Sequence, residues 1–87
     1  MKEREPCQYC GRWDYLQEHH VFGGTGRRKI SDKDGMVINL CPECHREVTL
    51  NPNQGKDLWL KQEFQKLWES EYGDREDFIK RYTRNYI

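Results

Sequence analysis

Four cysteines and three histidines carry most of the chemistry available to this chain. The cysteines fall in two pairs, Cys7-Gln8-Tyr9-Cys10 and Cys41-Pro42-Glu43-Cys44. A CxxC spacing turns two thiolates toward one ion, and four sulfurs complete a closed tetrahedral zinc site. The competing readings are two disulfides and a redox-active CxxC. A redox motif belongs in a βαβ context, which the pattern here lacks. The first residues, Met1-Lys2-Glu3-Arg4-Glu5-Pro6, are charged and hold no apolar stretch, so they do not read as a signal peptide. In a reducing compartment thiols stay available for metal. The expectation is therefore structural zinc at Cys7, Cys10, Cys41 and Cys44, in a cytoplasmic chain.

His19 and His20 are adjacent, and His45 directly follows the second cysteine pair. A lone histidine is more often an exposed or core residue. Here a shared metal site draws the His19-His20 segment toward His45 and gathers all three. Histidine ligands with an open coordination position suit metal-assisted hydrolysis. Histidine side chains ordinarily titrate at about pH 6.5, so a neutral imidazole can serve as a base at physiological pH. Neighbours on an ideal strand point to opposite faces. His19 and His20 therefore share a site only where the strand bends or ends, and Gly23 and Gly24 supply such an ending.

Residues 23–35 are dense in Gly and Asp and read as a loop. They carry Arg27, Arg28, Lys29 and Lys33 against Asp32 and Asp34, a local excess of two positive charges. Such runs are commonly just solvated. Beside a histidine-metal site, Arg27, Arg28 and Lys29 become candidate contacts for phosphate oxygens. Glycines 23, 24 and 26 let a backbone approach closely.

Short elements must position these groups. The first CxxC forms a knuckle turning around Gly11. Residues 16–22 read as a short strand, and Met36-Val37-Ile38-Asn39-Leu40 as a second β-prone run. Pro42 suits the first turn of a helix that extends to Leu50. Residues 51–55, Asn-Pro-Asn-Gln-Gly, break it. Leu60, Phe64, Leu67, Trp68 and Tyr72 then share one helical stripe, widened by Leu58 and Trp59. Gly73 stops that helix, and Asp74 caps a last short one. Its buried face is Phe78, Ile79 and Tyr82. The order makes a small α+β fold in one domain, residues 1–87. Residues 1–50 form its core and 51–87 a helical extension.

Composition sharpens the role of the metal. The chain has 87 residues, of which 34% are hydrophobic, and its mean hydropathy is −1.17. A domain this short buries only about 60% of its unfolded surface, so a metal staple supplies folding free energy that the core lacks. No apolar run approaches the roughly 18–20 residues of a membrane span. Aromatic residues at 13% argue against disorder. Lys and Arg number 15, as do Asp and Glu, for a net charge of +0. That argues against nucleic-acid binding by bulk charge. Glu63, Glu69, Glu71, Asp74, Glu76 and Asp77 nevertheless lie in the second half, away from the basic run.

These residues, taken in order, resemble the HNH endonucleases: a CxxC pair, His19-His20 with apolar Val21, a loop, a strand, then Cys41-Pro42-Glu43-Cys44-His45. That family uses a ββα-metal fold, with two strands and a helix around one catalytic divalent ion. Its zinc-stapled branch carries two such CxxC pairs. His20-Val21-Phe22, Arg28-Lys29, Ser31, Glu76-Asp77-Phe78-Ile79 and Asn85-Tyr86 look like short phage-borne members, similar to the recombination-enhancement, RecA-dependent nucleases. The resemblance implies hydrolysis of DNA phosphodiesters. His20 matches the general base that takes a proton from the attacking water. His19 and His45 match ligands of the catalytic ion, Mg²⁺ or Mn²⁺ with Zn²⁺ or Ni²⁺ as alternatives. The family's central asparagine falls on Met36, and Asn39, three residues later, is the candidate for its role. A further family histidine falls on Thr49, with Asn51 as the candidate replacement oxygen. DNA is the implied partner. A recombinase filament or another phage or host protein is a further candidate, and the cytoplasm of a bacterial or phage-infected cell is the setting. No membrane is implied. The alternative reading is a catalytically inactive zinc-stabilised module that binds nucleic acid or protein. A disulfide-stapled secreted domain is a distant third.

Overall fold

The first cysteine pair sits in a turn whose ends zip into a short hairpin. Strand β1 (Glu5–Pro6) pairs antiparallel with β2 (Trp13–Asp14). Inside it the Cys7 N–H donates to the Arg12 carbonyl at 2.8 Å, and the Gly11 N–H to the Cys7 carbonyl at 2.9 Å. Gly11 has φ +81°, a left-handed conformation that glycine adopts without a Cβ penalty. The computed structural model describes residues 3–24 and 26–87. Met1 and Lys2 of the charged N-terminal run, and Thr25 of the expected loop, lie outside the described residues.

Strand β3 (Gln17–His20) pairs antiparallel with β4 (Val37–Leu40), placing His19 opposite Ile38 and His20 opposite Val37. The first strand stops earlier than its sequence pattern suggested. Val21 and Phe22 leave the ladder and bury themselves instead, at 1% and 0% exposure. The Val21 N–H still reaches the Met36 carbonyl at 3.1 Å, but the Phe22 N–H turns to Ser31 Oγ at 3.3 Å.

The expected loop over residues 23–35 contains a helix, α1 (Arg27–Lys33). Its seven residues show no amphipathic stripe, and only Ser31 is buried. Tertiary bonds hold it. Arg27 Nε donates to the Tyr82 carbonyl at 2.8 Å, and Ser31 Oγ donates to the Met36 carbonyl at 2.5 Å. Gly35, at φ +75°, ends the helix.

Helix α2 (Pro42–Leu50) has proline in its first turn and Cys41 as N-cap, the cysteine sulfur accepting the Cys44 N–H. Helices α3 (Gly55–Glu71) and α4 (Arg75–Tyr82) follow. Asp74 caps α4 in a reciprocal capping box with Asp77. Among the described residues no helix is long and apolar enough to cross a membrane.

The α3 stripe is narrower than its spacing suggested. Leu60 and Trp68 are buried and Phe64 half-buried, while Leu67, Tyr72 and Trp59 are 42%, 56% and 51% exposed. Trp59 meets the Tyr9 ring edge-on at 5.4 Å. On α4, Phe78 and Tyr82 are fully buried, but Ile79 is 39% exposed. Their rings cluster with Phe22, whose centroid lies 5.2 Å from Phe78 and 4.6 Å from Tyr82. Buried Gln65 straps the C-terminal tail to α3. Its amide donates to Asn85 Oδ1 at 2.7 Å and accepts the Tyr86 N–H at 2.8 Å.

The ends of α1, α3 and α4 meet at buried Asp34. Its carboxylate accepts Trp68 Nε1 at 2.9 Å, Tyr82 Oη at 2.8 Å, and a two-pronged Arg81 contact at 2.6 Å on each oxygen. Burial raises the Asp34 pKa, but the hydrogen bonds from Arg81, Trp68 and Tyr82 outweigh it, and the net shift is downward. Asp34→Ala leaves four donors without their acceptor. It is expected to lower the unfolding free energy by about 3 kcal/mol, measured as a lower urea midpoint. A carboxylate with a depressed folded pKa stabilises in full above its unfolded value of about 3.9, and that stabilisation is lost as pH falls through the folded value. The gap between wild type and variant should therefore close in acid.

Candidate metal centre and histidine recess

The two cysteine pairs converge although 31 residues separate Cys10 from Cys41. All four sulfurs lie within 4.8 Å of one another. Cys10 Sγ and Cys41 Sγ stand 3.8 Å apart, and none of the four is in a disulfide. A bridged pair would require about 2.05 Å. Sulfurs on a tetrahedron of Zn–S bonds of about 2.3 Å are separated by about 3.8 Å. Backbone donors already point at the sulfurs, Tyr9 N–H to Cys7 at 3.5 Å and Cys44 N–H to Cys41 at 3.4 Å.

Electrostatics also ask for a cation here. Burial raises the Cys7 thiol, yet the backbone N–H groups of Cys10, Cys41 and Tyr9 bring it down to about 6. Burial and the neighbouring sulfurs of Cys41, Cys10 and Cys7 push Cys44 up. Each thiolate makes the next harder to form, and a divalent ion among them removes that conflict. Lys56 Nζ lies 3.7 Å from Cys44 Sγ while paired with Glu47 at 2.6 Å. The four cysteines thus form a candidate metal site, compatible with structural zinc.

The histidines gather beside this centre. Cys41 begins α2, and one turn later the His45 N–H donates to the Cys41 carbonyl at 2.9 Å. The His45 ring lies 5.4 Å from the His19 ring, edge-on. His20 is the last residue of β3. Both members of the His19-His20 pair border one recess at the strand end, beside the bend at Val21. Its lining is Glu18, His19, His20, Gly23, Arg28 and His45, and it encloses about 330 Å³. His19 Nε2 is buried and has no hydrogen-bond partner. Burial lowers the His19 pKa, and His45 lowers it further against an opposing pull from Asp57. His19 is therefore neutral near pH 7, the form that ligates metal. Among the described residues no third Cys, His, Asp or Glu ligand atom completes the His19–His45 pair.

Other expected site residues separate. Only Arg28 of the basic run borders the recess. Arg27 is tied up by the Tyr82 carbonyl and by Thr83 Oγ1 at 3.2 Å. Lys29 borders a different recess with Ile30, Asp32, Lys33 and Arg81. Asn39 sits opposite Glu18 on β4, with an exposed side chain that does not line the histidine recess. Asn51 donates Nδ2 to the Glu47 carbonyl at 3.1 Å and lines a third recess.

Two carboxylates escaped the sequence reading. Asp32 Oδ1 stands 3.4 Å and Glu18 Oε1 3.8 Å from His20 Nε2. Glu18 was accessible in principle, since residues two apart share a strand face. Asp32 was not, because its approach depends on α1.

The purified chain is expected to carry one zinc, measured by elemental analysis. Chelation, or Cys41→Ser, should abolish its cooperative thermal transition, because structural zinc contributes about 10 kcal/mol or more to such small domains. Comparisons with family models, with curated proteins and with solved structures returned no match.

Proposed function

We propose that the chain is a metal-dependent DNA endonuclease of the HNH type, a ββα-metal unit stapled by zinc. The observation that carries this reading is one open recess shared by His19, His20, His45 and Arg28, with a buried His19 nitrogen that has no partner. Strands β3 and β4 and helix α2 supply the two strands and the helix. His19 and His45 would hold the catalytic ion. When bound, that ion neutralises charge on the scissile phosphate and stabilises the departing 3′ oxygen. Imidazole donors suit Zn²⁺ or Ni²⁺, while Mg²⁺ favours oxygen ligands.

His20 is the general base and takes the proton from the attacking water. Arg28 grips a phosphate oxygen through its guanidinium fork. A recombinase filament, or another phage or host protein, is the partner class carried by the resemblance, and the cytoplasm is the corresponding setting.

A second reading is a zinc-stabilised binding module without catalysis. One observation favours it: Asn39 and Asn51, the candidates to complete the site, both stand outside the recess.

A plasmid-nicking assay with Mn²⁺, Mg²⁺, Zn²⁺ or Ni²⁺ separates the two. The wild type is expected to cut. His20→Ala should keep its circular dichroism spectrum and lose about 100-fold or more in rate. A wild type that cuts with none of these ions, and binds DNA as well as His19→Ala and His20→Ala do, supports the binding module. Arg28→Ala is expected to weaken DNA affinity and reduce its salt slope by about one. Arg27→Ala should instead lower thermal stability, because its guanidinium holds the end of α4.

A further inference from the structure

We propose that Asp32 is a positioning residue for His20. On this assignment its carboxylate takes the Nε2–H of the ring and leaves the Nδ1 lone pair free for water. The assignment rests on the reading of His20 as general base. The His20 side chain is 15% exposed, and its Nε2 lies 3.4 Å from Asp32 Oδ1. Glu18 Oε1 is farther, at 3.8 Å. Among the described residues no lysine or arginine pairs with either carboxylate, and His20 Nε2 is the side-chain nitrogen within 4.0 Å of both.

The backbone on both sides of Asp32 is pinned. Its neighbour Ser31 is buried, and Ser31 Oγ accepts the Phe22 N–H at 3.3 Å while donating to the Met36 carbonyl. Phe22 lies two residues beyond His20, so this bond ties α1 to the strand end that presents the imidazole. Two residues past Asp32, the Asp34 carboxylate is clamped by Arg81, Trp68 and Tyr82. Asp32 is therefore held at a set distance from His20, although its own side chain is exposed.

A carboxylate on one imidazole nitrogen selects the tautomer and fixes the ring plane. At 3.4 Å the pair is a close contact and not a formed hydrogen bond, so the assignment requires the exposed Asp32 side chain to close on the ring by a few tenths of an ångström. The sequence around Ser31-Asp32 thus has two jobs. The serine sets the helix against the strand end, and the aspartate orients the base.

The test compares the zinc-loaded full chain with Asp32→Ala and Asp32→Asn. Exposure of Asp32 makes unfolding of either variant unexpected, and circular dichroism checks it. In protein labelled with ¹⁵N-histidine, the wild-type His20 should show a downfield Nε2–H proton protected from exchange. Asp32→Ala should lose that signal, and Asp32→Asn, which keeps an acceptor oxygen, should retain part of it. In the cleavage assay Asp32→Ala should lower kcat on the order of 10-fold and leave KM for DNA nearly unchanged. Asp32→Asn should recover part of that loss. An identical His20 ring signal in wild type and Asp32→Ala overturns the assignment. So does an Asp32→Ala kcat equal to wild type, or a loss that appears only in KM. A wild type without nuclease activity defeats the proposed function alone, since the ring signal still decides the Asp32–His20 pairing.

Discussion

The convergence of four sulfurs is the constraint on which the rest of the molecule depends. Two two-residue strands and two four-residue strands are too short to stand alone. The cysteines tie the turn before β2 to the junction of β4 and α2. Cys41 belongs to both, as the residue after the strand and the cap of the helix. Once that junction is fixed, His45 follows one turn along α2, and β3 brings His19 against it. The neighbourhood of His19 and His45 thus follows from the cysteine site together with the β3–β4 pairing.

The second half of the chain finishes what the sulfurs begin. Phe22 is fully buried among Phe78, Tyr82 and Tyr86, with Tyr86 stacked at 5.6 Å. That burial draws the chain out of β3 straight after His20. The bend lies just beyond His20, at the strand end where the recess lined by Glu18, His19 and His20 opens. The aromatic cluster and the Asp34 clamp therefore act on the site from beneath, through the direction in which the strand leaves the sheet.

Features decided by neighbouring residues were legible in the sequence. The CxxC pairs, Pro42 at the start of α2 and Asp74 at the start of α4 each work through contacts a few residues away. Helix α1 was not legible, because its seven residues have no apolar stripe and owe their order to Tyr82, Met36 and Asp34. The same helix explains the fate of the basic run. A loop would leave Arg27, Arg28 and Lys29 equivalent. A helix sends them in different directions, one to the α4 end, one to the histidines and one to another surface. Ile79 and Leu67 fit helical spacing yet stay exposed, since periodicity locates an apolar face without saying how wide a neighbour covers it.

Charge around the recess gives a last constraint on how DNA would approach. Arg28 brings one positive charge, while Glu18 and Asp32 bring two negative ones next to His20. His19 is neutral, so its ring adds no charge. Within the lining the charges of Arg28 and Glu18 cancel, and Asp32 stands in the adjoining recess with Lys29, Lys33 and Arg81. On the proposed reading, a divalent ion at His19 and His45 would make this balanced lining positive. Phosphate affinity and catalysis would then depend on the same ion. A chain with 15 basic and 15 acidic residues need not hold DNA by bulk charge if its main contact with the backbone is made through a metal.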